Sequence, residues 1–122
     1  MLSKRTERLA VVALLGLYPI MSLTASARKS PTYDEPAHLA AGYSIHAGGD
    51  YRVADPAHLP QWWFALPLKW MDVQFVPRDH EAWQKPHAEL LGSELYYSMG
   101  NPAGAMTFAG RAMNVLLAMV LA

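Results

Sequence analysis

The sequence predicts an all-α membrane protein, on three observations. An uncharged run covers residues 9–27, a second apolar stretch covers 105–122, and only 16% of the 122 residues are charged while 52% are hydrophobic. An average soluble domain carries roughly 25% charged residues. The apolar residues gather at the two ends and in an aromatic middle stretch, so one compact soluble core is not the expected arrangement. Lys and Arg balance Asp and Glu, which removes any reason to expect a polyanionic partner such as nucleic acid. The absence of cysteine excludes a disulfide framework, a zinc-thiolate site and a thiol nucleophile, and leaves the redox compartment open.

The first element follows a short basic segment, residues 1–8, with Lys4, Arg5 and Arg8. The uncharged run 9–27 approaches the roughly 20 residues that an apolar helix needs to cross a bilayer, and Arg28 and Lys29 stop it. The greater number of basic residues before the run favours a cytoplasmic N-terminus and an exported loop. Pro19 interrupts the hydrogen-bond ladder, which membrane helices tolerate when neighbours satisfy the freed carbonyl. The same segment also fits a signal peptide, because Ala25-Ser26-Ala27 has the small-residue pattern of a cleavage site. The second apolar stretch, 105–122, favours a multi-span protein instead. It holds Arg111, expected at the outer boundary of the bilayer because a charge at its centre costs about 2.5–3.5 kcal/mol. The run reaches Ala122 without a flanking charge or turn, so the expectation is a second span continued by further sequence.

Between the two stretches, residues 28–104 carry no repeat or low-complexity tract and read as a structured extracytoplasmic loop. Glu35-Pro36 suits a helix opening and Gly48-Gly49 its end, which predicts a helix over 37–47. Residues 61–71, Gln-Trp-Trp-Phe-Ala-Leu-Pro-Leu-Lys-Trp-Met, are too short and too aromatic for a span. They suit a helix lying at the membrane interface, with an aromatic core helix as the alternative. A third helix is expected over 87–99, with Leu90, Leu91, Leu95 and Tyr96 or Tyr97 towards one side.

Asp34 and Glu35 are adjacent carboxylates only a few residues beyond the first span. A carboxylate at the membrane face is partly desolvated, which raises its pKa and makes it a better general base for a hydroxyl group. Glu35 and His38 stand one helical turn apart, and His58 can join them through the fold. That mixed oxygen and nitrogen set would suit a divalent metal ion, with His38 as a ligand. The bland alternatives are that Asp34 only caps the helix and that the histidines are packed or solvated.

The order of basic start, apolar helix, Asp34-Glu35-Pro36-Ala37-His38-Leu39-Ala40-Ala41-Gly42-Tyr43, Gly49-Asp50-Tyr51-Arg52 and Asp55-Pro56-Ala57-His58-Leu59-Pro60 resembles bacterial family 39 glycosyltransferases. These are relatives of protein O-mannosyltransferases and aminoarabinose transferases. The resemblance covers that family's first membrane helix, first extracytoplasmic loop and the opening of its second helix. It implies the N-terminal part of a polytopic GT-C fold in the cell (inner) membrane, with amphipathic helices of the first loop lying on the membrane. By the resemblance Asp34 takes the catalytic place, deprotonating or orienting the acceptor hydroxyl, and Glu35 that of its acceptor-side partner. His58 is implied near the donor phosphate, and Arg111 matches an arginine at the start of the second helix. Arg52 is a further candidate phosphate contact because a planar guanidinium binds phosphate oxygens in a forked geometry, with simple exposure on the loop as the alternative. Leu59 stands where mannosyltransferases have a proline and Trp63 where they have a lysine. The implied partners are a lipid-linked sugar donor and a lipid, glycan or protein acceptor. The implied reaction moves a sugar from a polyprenyl phosphate to a hydroxyl group with inversion. A pocket built from several membrane helices would leave the 122-residue chain inactive alone. Two further readings are a secreted binding domain using Glu35, His38 and His58, and a two-span subunit whose loop docks partners.

Overall fold

Ser3 sets the start of the first helix. Its hydroxyl oxygen accepts the Thr6 N–H at 3.2 Å, so α1 (Lys4–Ser26) begins ahead of the apolar run and takes in the basic residues. The computed structural model describes residues 3–54, 57–85 and 87–122, and every element within them is helical. Pro19 lies inside α1 and removes one backbone donor. One turn later the Thr24 hydroxyl donates back to the carbonyls of Ile20 and Met21, at 2.7 and 3.0 Å. No residue of α1 is buried. At the other end of the chain Pro102 leads into α6 (Ala103–Leu121).

Both helices are long and apolar enough to cross a membrane, and at about 1.5 Å per residue each matches the hydrocarbon thickness to within a turn or two. They run antiparallel. Leu14, Leu15 and Tyr18 share a shallow cleft with Ala118, Met119 and Ala122, while the C-terminal end of α1 meets Arg111 midway along α6. Their remaining apolar surface, including Leu9, Val12, Ile20, Leu117 and Val120, faces outward.

The residues between them fold as a helical cap over one end of this pair. The cap comprises α2 (Glu35–Gly48), α3 (His58–Ala65) continued by a 3-10 turn (Leu66–Trp70), the one-turn α4 (Glu81–Gln84), and α5 (Ala88–Ser93) continued by a π turn (Glu94–Ser98). α2 opens at the expected Glu35-Pro36 step. It ends where expected, at Gly49, whose φ of 64° lets its N–H reach the Ile45 carbonyl at 2.9 Å. Pro67, which cannot donate to the ladder, falls where α3 tightens into the 3-10 turn, so the predicted 61–71 helix is two pieces. One side of it, Gln61, Phe64, Ala65 and Leu68, enters the core, while Leu59, Trp62 and Trp70 remain exposed. In the 87–99 segment Leu91, Leu95 and, of the two tyrosines, Tyr96 are buried as expected, but Leu90 faces outward, a correction to the expected stripe.

The core joins Leu39, Ala40, Ala41 and Ile45 of α2 to Phe64, Leu68, Trp83, Leu91, Leu95 and Met106. Glycines allow the closest approaches. A methyl group at Gly42 would overlap the Gln61 carbonyl and stand 2.7 Å from the Ala65 Cβ, and one at Gly92 would stand 2.6 Å from the Ala37 nitrogen. α2 is therefore seated directly on α3 along one side and on α5 at its first turn.

Candidate functional site

Arg111 is the hub from which the site is built. Its side chain leaves α6 and meets Glu35 in a forked pair, Nε to Oε1 and Nη2 to Oε2, each 2.7 Å. The same guanidinium donates from Nη1 to the carbonyls of Ser26 and Lys29, at 3.1 and 3.0 Å, and from Nη2 to Ser30 at 2.9 Å. The last carbonyls of a helix have no intrahelical partner, so Arg111 satisfies the end of α1 while fixing the start of α2. The two side chains are only 13% and 17% exposed. Thr32 adds its backbone N–H to Glu35 Oε2 at 2.7 Å. Burial alone would raise the Glu35 carboxyl pKa, but the hydrogen bonds from Arg111 and Thr32 outweigh it and hold the group below its ordinary value.

With Glu35 anchored, Asp34 is left at the helix entrance, where its side chain makes no capping hydrogen bond. The Thr32 hydroxyl donates to its Oδ1 at 2.9 Å, and His38 Nε2 stands 3.7 Å from Oδ2. The Thr32 bond, reinforced by backbone groups and His38, holds the Asp34 carboxyl below the usual range. This corrects the expectation of a raised carboxylate pKa. Asp34 is solvent-exposed and ionised at neutral pH, and Glu35, although half-enclosed, is neutralised by its arginine.

Asp34, Glu35 and His38 line one side of a cleft of about 330 Å³. Thr32, Ala57, Pro60, Gln61 and Phe64 line it too, and Asn114 of α6 reaches it from the membrane helix. The Trp63 indole N–H donates to the Met113 carbonyl at 2.9 Å and ties α3 to α6 beside that floor. Within this cleft, Gln61 Nε2 lies 2.9 Å from His38 Nδ1. The cleft offers one exposed carboxylate, bonded at one oxygen by Thr32 and faced at the other by His38, and that carboxylate can accept hydrogen bonds from hydroxyl groups.

The other expected residues lie elsewhere. His58 packs edge-on to the Tyr51 ring, with centroids 5.6 Å apart, in a separate apolar groove with Leu59 and Trp62. Arg52 is held by Asp50 through Nε, 2.9 Å from Oδ1, and its Nη2 donates to the Trp83 carbonyl at 3.2 Å. Asp55 and Pro56 of the same sequence element lie outside the described residues. Glu35 turns away from His38 towards Arg111, so the expected union of Glu35, His38 and His58 does not form. Among the described residues no three His, Asp or Glu side chains come together as a metal-ion site.

Sequence reasoning missed Gln61 and Asn114. Asn114 carried a readable signal, because a polar residue inside an apolar span faces protein or water rather than lipid. Gln61, inside an aromatic run, carried none. No family model, curated protein or solved structure matches this chain.

Proposed function

We propose that this chain is the acceptor-side portion of an integral-membrane glycosyltransferase that takes its sugar from a polyprenyl phosphate, as the family 39 resemblance implies. The observation that carries the reading is Asp34: an exposed, ionised carboxylate in a cleft also lined by Asn114, which belongs to a helix apolar enough to span a membrane. A lipid-linked donor and a hydroxyl acceptor meet at that boundary.

In this reading the acceptor oxygen attacks the anomeric carbon as the bond from that carbon to the phosphate oxygen breaks. The phosphate leaves with the electron pair, and the hydroxyl proton passes to Asp34. A weakly basic carboxylate suffices, because glycosyl transfer passes through an oxocarbenium-like state and the hydroxyl becomes acidic only as its new bond forms. Glu35 acts through Arg111 by fixing the start of α2, and so the position of Asp34. His58, at the edge of the groove formed by Tyr51, Leu59 and Trp62, suits the junction of phosphate and lipid. Arg52 is already neutralised by Asp50, and a phosphate would have to displace that partner. The packing of α1 on α6 and the Arg111 bond to Ser26 support α1 as a retained span with the cap outside the cell membrane.

The test is transfer from a radiolabelled polyprenyl-phosphate sugar in membranes of cells whose own gene carries Asp34→Asn. Hexose and pentose donors are assayed separately against the unaltered gene. Loss of at least 100-fold, roughly the lower bound for removing a general base, is expected. Unchanged transfer would remove Asp34 from the chemistry and the reading with it.

A further inference from the structure

Gln61 is only 6% exposed, yet its Oε1 has no hydrogen-bond partner. An unpaired buried oxygen is costly, and a buried polar group retained in that state calls for an explanation. Its amide nitrogen supplies one, because it lies 2.9 Å from Nδ1 of His38, whose Nε2 faces Asp34 Oδ2 at 3.7 Å.

We propose that Gln61 holds His38 as its neutral Nε2–H tautomer and that His38 is a positioning residue for Asp34. The inference deepens, and for its catalytic part rests on, the transferase reading. An amide N–H has no lone pair to offer, so a donating Nε2 requires Nδ1 of His38 to be the acceptor. The ring proton of the neutral imidazole is then on Nε2, pointing at the carboxylate. Turning the amide over would reverse both ends. The amide would then accept from Nδ1–H through its oxygen, and the neutral ring would present the Nε2 lone pair to the charged Asp34. That lone pair facing the carboxylate opposes the reversed arrangement.

Gln61 is also unable to drift away from the ring. Its backbone lies against Gly42 so closely that any Cβ there would collide with it. The backbone of His38 is fixed in turn by the bond from its N–H to the Asp34 carbonyl at 3.0 Å. Thr32 donates to Oδ1 of Asp34 from the other side. Asp34 is thereby gripped at both oxygens, one by a hydroxyl and one by an imidazole N–H that needs to close by less than an ångström to become a hydrogen bond. Catalytic hydrogen bonds are often long before substrate arrives.

The test reads the tautomer directly and needs no turnover. The full chain, labelled with nitrogen-15 and held in lipid nanodiscs, gives long-range proton–nitrogen correlations for its five histidines, with His38 assigned by its loss in His38→Gln. The expected result is the Nε2–H pattern for neutral His38. In Gln61→Glu, whose carboxylate can only accept, it should change to the Nδ1–H pattern. In Gln61→Met, a variant that keeps the volume, it should become a mixture. An Nδ1–H form or an even mixture in the unaltered protein overturns the proposal, as does an unchanged pattern in both variants. In membranes from the altered gene, Gln61→Met should lower kcat by about ten- to a hundredfold, as for a misplaced reacting group, with KM for the acceptor unchanged. Equal losses in kcat for Gln61→Met and Gln61→Leu with a normal tautomer pattern would also overturn it. Absence of transfer in the unaltered protein would instead remove the transferase reading, while the tautomer result still decides the role of Gln61.

Discussion

Arg111 spends every donor group seen to bond on Glu35 and on carbonyls near the end of α1. Truncation would leave a partly buried carboxylate and several carbonyls unpaired at once. Breaking such a pair by removing one partner costs about 3 kcal/mol or more, so Arg111→Met should lower the stability of the cap by an amount of that order, measured by denaturant titration in micelles. Arg111→Lys should recover little, because a lysine ammonium cannot make the forked pair and reach three carbonyls together. The pair also gives stability a pH dependence. The Glu35 carboxyl titrates below its ordinary value of 4.5, so more protons bind in the unfolded chain than in the folded one as pH falls through that region. Its contribution is complete above about 4.5 and is lost as pH drops through the lower folded value. The same titration on Glu35→Gln should show a flatter acid limb, and an equally steep limb in that variant would show that other carboxylates set it. Asp34 and Glu35 were legible as a pair from sequence, but their division of labour was not. Only the fold brings Arg111, far along the chain, to one of the two.

Elements were legible where local chemistry decides them. The Glu35-Pro36 opening and Gly49 end of α2, and the two long apolar helices, follow from caps, prolines and uncharged length. The break between α3 and its 3-10 turn has its local cause in Pro67, yet aromatic content alone predicted a continuous helix. The one-turn α4 was missed because a single turn has no periodicity. Its cap, His80 Nδ1 accepting the Ala82 N–H at 3.2 Å, is not a residue type that sequence rules favour. The π turn after α5 was equally hidden, and within it Leu95 and Tyr96 point in while Tyr97 faces out. Gly42 sets how closely α3 approaches α2. Gly42→Ala forces α3 away from α2, and overpacking of this kind costs about 1–3 kcal/mol. Because Gln61 is the residue displaced, the substitution should also disturb His38, which a nitrogen-15 spectrum of the variant would register. An undisturbed His38 and normal stability together would mean that α3 shifts freely and does not set the cleft.

For the whole molecule, the antiparallel α1 and α6 leave outward-facing leucine, valine and isoleucine on a pair of membrane-length helices, with the polar cap gathered at one end. A bilayer satisfies that distribution and water does not. The basic residues Lys4, Arg5 and Arg8 lie at the opposite end of α1 from the cap, and the topology proposed from that charge bias is a cytoplasmic start of α1 with Asp34 outside. The lack of native cysteine makes this directly measurable. Single-cysteine variants at Ser3, Leu14 and Tyr97 can be probed in intact cells with a membrane-impermeant maleimide. Tyr97, 72% exposed on the cap, should label at once, Ser3 only after the membrane is opened, and Leu14 poorly in either case. A tag placed before Ser3 should remain on the same polypeptide as the Tyr97 label. Labelling of Ser3 before Tyr97 would invert the topology and put Asp34 on the cytoplasmic side. Loss of the tag from labelled protein would mean that α1 is cleaved, and Arg111 would then have to hold Glu35 without the Ser26 carbonyl.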